Sequence, residues 1–260
     1  MKNLVTECSV ASKTGPNITA LVELTKQFEL EGKIDPVANL KDDQVFLFVG
    51  TEDSGVGPAV GKSVETYYQN FVDNSRLNMN HDFPADHTLP TLDYGSECTK
   101  MRPPFIGKCN YDGAGLAFKH IFGDLKDAVA PISTNLMAFD QTPYIPTDNE
   151  AHSIGDTGYI YVPTACQEGS AACHLHFSFH GCGQTVGIMG DTFAANTGYN
   201  RWAESNNIVL VYPSAKISLS NPTNPIGCWD ASGFTGTDYS FKSGVQPRFV
   251  RNLVSAIAGI

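Results

Sequence analysis

Hydrophobic and polar positions along the chain follow two different periodicities. Short, nearly continuous apolar runs are typical of buried strands, and they occur at 44–49, 159–162, 175–179 and 208–212. Apolar positions at helical spacing, in several cases bounded by glycine or proline, predict helices at 17–31, 58–71, 112–122, 193–205 and 244–257. This alternation predicts an α/β fold with a mostly parallel sheet and helices on both faces.

The segment 72–112 breaks this alternation. It is polar and rich in Asn, Asp and Pro, so we expect a long irregular excursion that contributes little to the core. No internal repeat, low-complexity tract or linker divides the chain. We therefore expect residues 1–260 to form a single domain.

Composition narrows the range of partners and compartments. Seventeen basic and 27 acidic residues give a net charge of −10, which disfavours nucleic acid and anionic membranes as partners. No run approaches the ~18 apolar residues that a membrane helix needs. Seven cysteines without repeated Cys-x-x-Cys pairs favour a secreted, disulfide-bonded, extracellular protein with one cysteine left over.

The segment 55–63 resembles a phosphate-binding loop only superficially. That motif needs a glycine five positions before Gly61, and Val56 stands there. Pro58 removes a backbone N–H that would bind phosphate, and Glu52 and Asp53 place negative charge nearby. A strand-to-helix connection with a solvated Lys62 is the preferred interpretation.

Two residues suit general acid–base chemistry. Asp53 follows a predicted strand in the loop that begins at Gly50, where functional side chains concentrate in open α/β sheets. It is a candidate for the acid that orients a catalytic imidazole, although a turn-forming or helix-capping role is the alternative. His87 is the candidate base because prolines 84 and 90 restrict its loop, whereas His81 is a less rigid competitor.

The segment 174–184 contains three histidines and a glycine-bracketed turn. His174, His176 and His180 lie at alternate positions of a predicted strand, but the first and last are too far apart for one metal ion. A pair of ligands stays possible, but we predict no metal and no cofactor. The turn that follows has small residues and backbone N–H groups of the kind that bind a developing oxyanion.

Several segments together resemble the poly(3-hydroxybutyrate) depolymerases and related secreted esterases. They include His180-Gly-Cys-Gly-Gln184, the loop Asp86-His87-Thr-Leu-Pro-Thr and Pro225-Ile-Gly-Cys-Trp229, and further matches at 39–53, 109–115, 158–166 and 197–203. The similarity runs from about residue 30 to the C-terminus. It implies an α/β-hydrolase fold in the branch whose strand order is circularly permuted.

The resemblance implies a role for each matching residue. Asp53 would be the triad acid, His87 the general base and the Cys182 N–H an oxyanion donor. Trp229 would form an aromatic wall of the substrate cleft, with a core tryptophan as the alternative. The implied disulfides join Cys98 with Cys109, Cys166 with Cys173, and Cys182 with Cys228, which leaves Cys8 without a partner.

The chain departs from the resemblance at the nucleophile. No serine has glycine at both the second preceding and the second following position: Ser63 and Ser153 each have only one. We therefore expect the first strand and the nucleophile elbow to lie upstream, and we expect the chain to be N-terminally incomplete. Hydrolysis by this chain alone should then be weak or undetectable.

The expected function is hydrolysis of a polyester to a 3-hydroxyacid or short oligomers by acyl transfer, carried out by a monomer. The substrate would be a polyester or a small ester. An acetyl-xylan or feruloyl-type esterase is the enzymatic alternative, and a catalytically inactive substrate-binding fragment is the non-enzymatic one.

Overall fold

A computed structural model describes residues 7–9, 12–149, 151–169 and 171–259. The chain folds into two compact units, Met1–Asp124 and Leu125–Ile260. The single domain over 1–260 stays a prediction. Among the described residues, the structure contains no helix with the length and apolar character needed to span a bilayer.

The first unit contains three α-helices and five short strands within its described part. In chain order they are α1 (Ile18–Leu30), β1 (Val45–Phe48), α2 (Pro58–Tyr68), β2 (Leu77–Asn80), β3 (Leu89–Thr91), β4 (Ser96–Glu97), β5 (Ile106–Lys108) and α3 (Gly113–Phe122). β1 and β2 form a parallel pair, and β5 lies between β3 and β4, parallel to both. The helices predicted at 17–31, 58–71 and 112–122 are confirmed.

Local sequence explains where these helices begin. The Asn17 side chain accepts the N–H of Ala20 at 3.1 Å at the start of α1, and the Asp112 side chain accepts that of Gly115 at 2.9 Å at the start of α3. α2 begins at Pro58, whose missing N–H and fixed φ suit a first helical position. Val22 of α1 packs against Phe71 and Val72, which lie just after the end of α2.

The prediction that 72–112 is irregular and outside the core is wrong. Four of the strands, β2 to β5, lie in it, and Ala85 and Ile106 are fully buried. Strands of two to four residues are too short to show periodicity in the sequence. The chain is also drawn close to itself here, since a Cβ on Gly95 would lie 1.9 Å from the carbonyl oxygen of Ile106.

The second unit is built on a four-stranded sheet with the order β6, β7, β9, β8. Its described elements are β6 (Leu136–Asp140), β7 (Thr157–Tyr161), α4 (Thr164–Gln167), β8 (His174–Phe177), α5 (Val186–Met189), α6 (Thr192–Asn196), α7 (Tyr199–Asn206), β9 (Ile208–Tyr212) and α8 (Val245–Ala258). β8 and β9 are parallel, whereas β7 runs antiparallel to both β6 and β9. The predicted α/β class is confirmed, but this sheet is mixed rather than mostly parallel.

Two details of the second unit differ from the sequence predictions. The helix predicted at 193–205 is divided into α6 and α7, because Gly198 adopts φ +90° between them. β6 was not predicted, since its side chains are only half-buried or exposed. The helix predicted at 244–257 is confirmed as α8, which buries Phe249 and Leu253 against Ile154.

Candidate active site

The first unit brings together the two residues predicted for acid–base chemistry. The Oδ2 atom of Asp53 lies 3.0 Å from the Nδ1 atom of His87. A carboxylate can only accept a hydrogen bond, so Nδ1 carries the proton, and in the neutral ring Nε2 is the basic nitrogen. The side chain of Asp53 is 8% exposed and that of His87 is 48% exposed, so the acid is buried while the imidazole remains accessible to solvent.

Asp53 is held by the backbone of its own loop. Its Oδ1 atom accepts the N–H groups of Gly55, Val56 and Gly57 at 2.9, 2.8 and 3.0 Å. These are the amides that a phosphate would require, so an internal carboxylate already occupies the site that a phosphate loop would offer. The turn-forming alternative for Asp53 and the pairing with His87 are therefore both present, one on each carboxylate oxygen.

Close backbone contacts bring the two loops together. Just after β1, the N–H of Thr51 donates to the carbonyl of Phe83 at 2.9 Å, and that of Glu52 donates to Ala85 at 3.2 Å. A Cβ on Gly50 would lie 1.9 Å from the carbonyl oxygen of Ala85, and only glycine avoids this clash. The apolar run that ends at glycine thus places the following carboxylate beside the histidine loop.

The pKa values of both residues are shifted in the directions that favour an ionised Asp53 and a protonated His87. Burial by itself would raise the pKa of Asp53, but the hydrogen bonds from His87 and from the Gly57 and Val56 amides lower it overall. The hydrogen bond to Asp53 raises the pKa of His87, against the opposing effect of burial. The arrangement therefore favours uptake of a proton by His87 while Asp53 stays charged.

Asp86 is a residue of this site that sequence reasoning missed. It is 9% exposed, and its Oδ1 accepts the N–H and the hydroxyl of Ser54 and the N–H of His87, at 2.7 to 2.8 Å. Its Oδ2 accepts the N–H of Met101 at 2.8 Å. Burial would raise the pKa of Asp86, but these hydrogen bonds lower it to about 2. Asp86 directly precedes His87 in the sequence, but adjacency alone does not distinguish it from a solvated aspartate.

The competing histidine lies elsewhere in the loop. His81 is 56% exposed and its Nε2 lies 3.5 Å from Asp82, a surface pairing.

The two serines that have one neighbouring glycine of the nucleophile motif lie in other settings. Ser63 lies within α2 and donates to the carbonyl of Ala59 at 2.9 Å. Ser153, in the second unit, has φ +52° and donates to the carbonyl of Lys216 at 2.8 Å. Neither serine stands between a strand and a helix as a nucleophile elbow would.

The second unit contains the predicted oxyanion turn, here called the glycine turn (residues 181–184), which follows β8. The N–H of Gly181 donates to the side-chain Oε1 of Gln184, and the N–H of Gly183 donates to the carbonyl of Ile226, both at 2.7 Å. Between them, the N–H of Cys182 has no acceptor within the described part of the chain. Cys182 therefore presents the amide that an oxyanion donor requires.

His180 supports this turn as a neutral imidazole. Its Nδ1 donates to the carbonyl of Gly181 at 2.7 Å, and its Nε2 accepts the N–H of Ala215 at 3.0 Å. These partners fix one tautomer, because a carbonyl only accepts and an amide N–H only donates. Burial lowers the pKa of His180, and the bond to Gly181 opposes this only in part.

Trp229 packs beside the glycine turn. Its ring meets Phe179 edge-on at 5.4 Å between centroids and lies 5.5 Å from the ring of His180. Trp229 is half-buried and also packs against the core cluster around Phe249, whereas Phe179 is 45% exposed. The structure therefore places Trp229 at the boundary between core and surface, next to Cys182.

The histidines of β8, His174 and His176, belong to no group of three or more potential metal ligands in the described chain. Among the described residues, no cluster of His, Cys, Asp or Glu is arranged to hold a metal ion. His176 lies 5.7 Å from the ring of Tyr199, and burial lowers its pKa to about 4. His174 is exposed at the start of the strand.

The cysteines pair as the resemblance implies. Disulfides join Cys98 to Cys109, Cys166 to Cys173 and Cys182 to Cys228, and Cys8 is free and exposed. The last of these disulfides ties the glycine turn to the residue before Trp229.

Comparison with known proteins gives a consistent family. No protein-family profile matches the chain. It is 38% identical over 253 residues to a poly(3-hydroxybutyrate) depolymerase from Delftia acidovorans, covering 96% of this chain and 49% of that protein. It is 33% identical over 260 residues to a polyhydroxybutyrate depolymerase from Talaromyces funiculosus, covering 94% of this chain and 75% of that protein. The chain thus spans about half the length of the Delftia relative.

Two solved structures share the fold. The crystal structure of PHB depolymerase from Penicillium funiculosum superposes with a TM-score of 0.87 at 32% identity, covering 98% of this chain and 82% of that one. A PHB depolymerase variant complexed with an R3HB trimer gives a TM-score of 0.86 at 32% identity, with coverage of 96% and 80%. The α/β-hydrolase fold is therefore confirmed, whereas its circular permutation stays a prediction. Taken with the Talaromyces match, these similarities show that the chain belongs to the poly(3-hydroxybutyrate) depolymerase family.

Proposed function

We propose that this protein contributes the general base, its orienting acid and an oxyanion donor to the hydrolysis of poly(3-hydroxybutyrate) and its oligomers. The observation that carries the proposal is the 3.0 Å contact between a buried, ionised Asp53 and a solvent-accessible His87. A carboxylate fixed by three backbone amides stays charged beside the imidazole, as the orienting acid of an ester hydrolase must.

In the proposed mechanism, Nε2 of His87 removes a proton from the attacking hydroxyl and returns it to the leaving alkoxide. Asp53 accepts the Nδ1–H throughout and stabilises the imidazolium that forms in between. The N–H of Cys182 donates to the carbonyl oxygen as negative charge develops on it. Water then releases a 3-hydroxyacid or a short oligomer by the reverse sequence of proton transfers.

The attacking serine is not assigned to any residue of this sequence. Without it, the remaining groups can still promote direct attack of water on an activated ester. In serine hydrolases that lack a triad member, binding and the oxyanion donor retain roughly 10³-fold catalysis over water. For this chain by itself we propose weak hydrolysis in which His87 activates the attacking water as a general base, in addition to the contribution of binding and the oxyanion donor.

Substrate and location follow from the relatives and from the cysteines. One structural neighbour was solved with an R3HB trimer, which supports (R)-3-hydroxybutyrate units as the substrate class. Three disulfides support an extracellular enzyme, because such bonds persist in oxidising compartments. We propose that the protein acts as a monomer, with Trp229 beside the acyl group of the substrate.

The test is hydrolysis of p-nitrophenyl butyrate by the chain and by its His87→Gln variant. We expect the parent to exceed the buffer rate by more than about 10³-fold, and the variant to lose about 10²-fold or more of the parent rate while it keeps the contribution of binding and the oxyanion donor. His81→Gln is the matched control, since it removes an exposed histidine of the same loop and should leave the rate unchanged. Equal rates for the parent and His87→Gln would refute the assignment of the base.

A second assay separates the alternative functions. Release of 3-hydroxybutyrate from the R3HB trimer, without release of acetate from acetylated xylan or ferulate from a feruloylated xylan oligosaccharide, would support the proposed substrate. The opposite preference would identify the xylan-directed esterase. Saturable binding of the trimer without any His87-dependent hydrolysis would identify a binding fragment instead.

A further inference from the structure

We propose that Gln184 is a positioning residue of the glycine turn, one that leaves the N–H of Cys182 as the amide presented to the ester oxygen. Its side chain accepts the N–H of Gly181, so that this neighbouring donor is already occupied. The inference rests on the proposed role of Cys182 and deepens it.

The hydrogen bonds of three successive amides carry this inference. The Gly181 N–H is bound by Oε1 of Gln184 and the Gly183 N–H by the carbonyl of Ile226, each at 2.7 Å. The N–H of Cys182 has no such acceptor in the described chain. Cys182 is an exposed residue, so of these three amides its N–H is the one that a ligand can bind without breaking a hydrogen bond within the described chain.

The direction of the Cys182 N–H is fixed through the carbonyl of the same peptide group. That carbonyl, on Gly181, accepts the Nδ1–H of His180 at 2.7 Å and the backbone N–H of Gln184 at 3.3 Å. In a planar trans peptide, the C=O and N–H bonds point in opposite directions. The Cys182 N–H is therefore directed away from the side on which His180 and the Gln184 backbone lie.

Gln184 thus holds both ends of residue 181. Its backbone donates to the Gly181 carbonyl while its side chain accepts the Gly181 N–H. The side chain is buried, with 6% exposure, and a Cβ on residue 181 would lie 3.0 Å from its Oε1. Glycine at 181 and glutamine at 184 therefore fit each other. The neutral amide also avoids placing a negative charge beside a developing oxyanion, which a carboxylate would do.

Two variants separate positioning from packing. Gln184→Met preserves the approximate volume but cannot accept the Gly181 N–H. Gln184→Glu preserves the acceptor and adds a charge. Gln246 supplies matched controls, because it is also 6% exposed and its Oε1 also accepts a backbone N–H, that of Asp230, at 2.8 Å. Gln246→Met and Gln246→Glu should cost comparable stability without changing the glycine turn.

The first readout is amide hydrogen exchange by NMR on the unliganded protein. In Gln184→Met, exchange of the Gly181 amide should rise by at least about tenfold relative to Gln246→Met, because local opening no longer breaks a hydrogen bond. In Gln184→Glu, the Gly181 amide should stay protected. Unchanged Gly181 exchange in Gln184→Met would overturn the inference, whatever the catalytic result.

The second readout is the residual hydrolysis of p-nitrophenyl butyrate by the folded fraction of each variant. Both Gln184 variants should lose about tenfold or more, a fraction of the ~10²- to 10³-fold lost when an oxyanion donor is removed outright. Full activity in both would overturn the positioning role. If the parent shows no His87-dependent hydrolysis, the proposed function fails, while the exchange data still decide whether Gln184 controls the Gly181 amide.

Discussion

Asp86 offers the sharpest test of how this site is held together. Its two oxygens accept four hydrogen bonds, from the N–H and hydroxyl of Ser54 and from the N–H groups of His87 and Met101. In Asp86→Asn, Oδ1 can keep its three donors, but the new NH₂ group faces the N–H of Met101. The folded protein then loses a charged acceptor, and two N–H donors, the new NH₂ group and the Met101 N–H, face each other. We expect a destabilisation of about 3 kcal/mol.

The pH dependence of this loss follows from the pKa of Asp86. Hydrogen bonding lowers the pKa from 3.8 to about 2 in the folded chain. At about 1.4 kcal/mol for each pKa unit, the ionised carboxylate contributes on the order of 2.5 kcal/mol at neutral pH. Because the folded pKa lies below the unfolded one, this contribution is complete above about pH 5 and is lost as the pH falls towards 2. Roughly half of it should remain at pH 3.

The assay is urea unfolding of the parent and Asp86→Asn at pH 7 and pH 3, followed by circular dichroism. The difference between the two proteins should shrink by about 1 kcal/mol on acidification, since only the parent has this carboxylate to protonate. Asp73→Asn is the control, because the exposed Asp73 accepts the N–H and hydroxyl of Ser75 in a similar motif. An equal gap at both pH values, or no loss at pH 7, would refute the reasoning.

Three further predictions concern the site and its loops. Asp53→Asn should lower the pKa of His87 and slow hydrolysis, because the Nδ1–H loses its carboxylate; an unchanged NMR titration of His87 would contradict this. Gly50→Ala should cost about 3 kcal/mol in urea unfolding, since its Cβ would lie 1.9 Å from the Ala85 carbonyl oxygen, and wild-type stability would exclude that contact. Trp229→Ala should weaken R3HB trimer binding about tenfold by calorimetry while Trp229→Phe largely retains it, and equal affinities would remove Trp229 from the substrate surface.

The elements that the sequence predicts well are those with a long apolar run or a sustained helical periodicity. The run from Ile208 to Tyr212 forms β9 with the predicted limits, because its large apolar residues fit a central strand. α8 follows Gly244, and α1 lies within the predicted range 17–31, as expected. β3, β4 and β5 were not predictable in this way, since two or three residues carry no period and their pairing depends on distant partners.

The residues of the candidate site also differ in how well the sequence predicts them. Asp53 and His87 could be predicted because each has a local context, a strand end and a proline-bounded loop, and the family resemblance adds their roles. Asp86 and Gln184 could not, because their function consists of accepting particular backbone amides. Nothing in the sequence distinguishes a side chain that accepts such an amide from a solvated one nearby. The folded chain determines that, through loop geometry that no periodicity encodes.

The two buried carboxylates, Asp53 and Asp86, together hold His87 and its neighbouring loop in place. Asp86 accepts the N–H of Ser54 and the N–H of His87, and Asp53 accepts the next three amides, 55 to 57, together with the imidazole Nδ1–H. Every amide from 54 to 57 is therefore bound to one of these two acids, and both acids also reach His87. Because amide dipoles rather than a lysine or an arginine compensate the two charges, a proton is stabilised on His87 instead of being repelled. The geometry and charge of the histidine loop are thus already set in the unliganded chain, which is the preorganisation that the proposed acyl transfer requires.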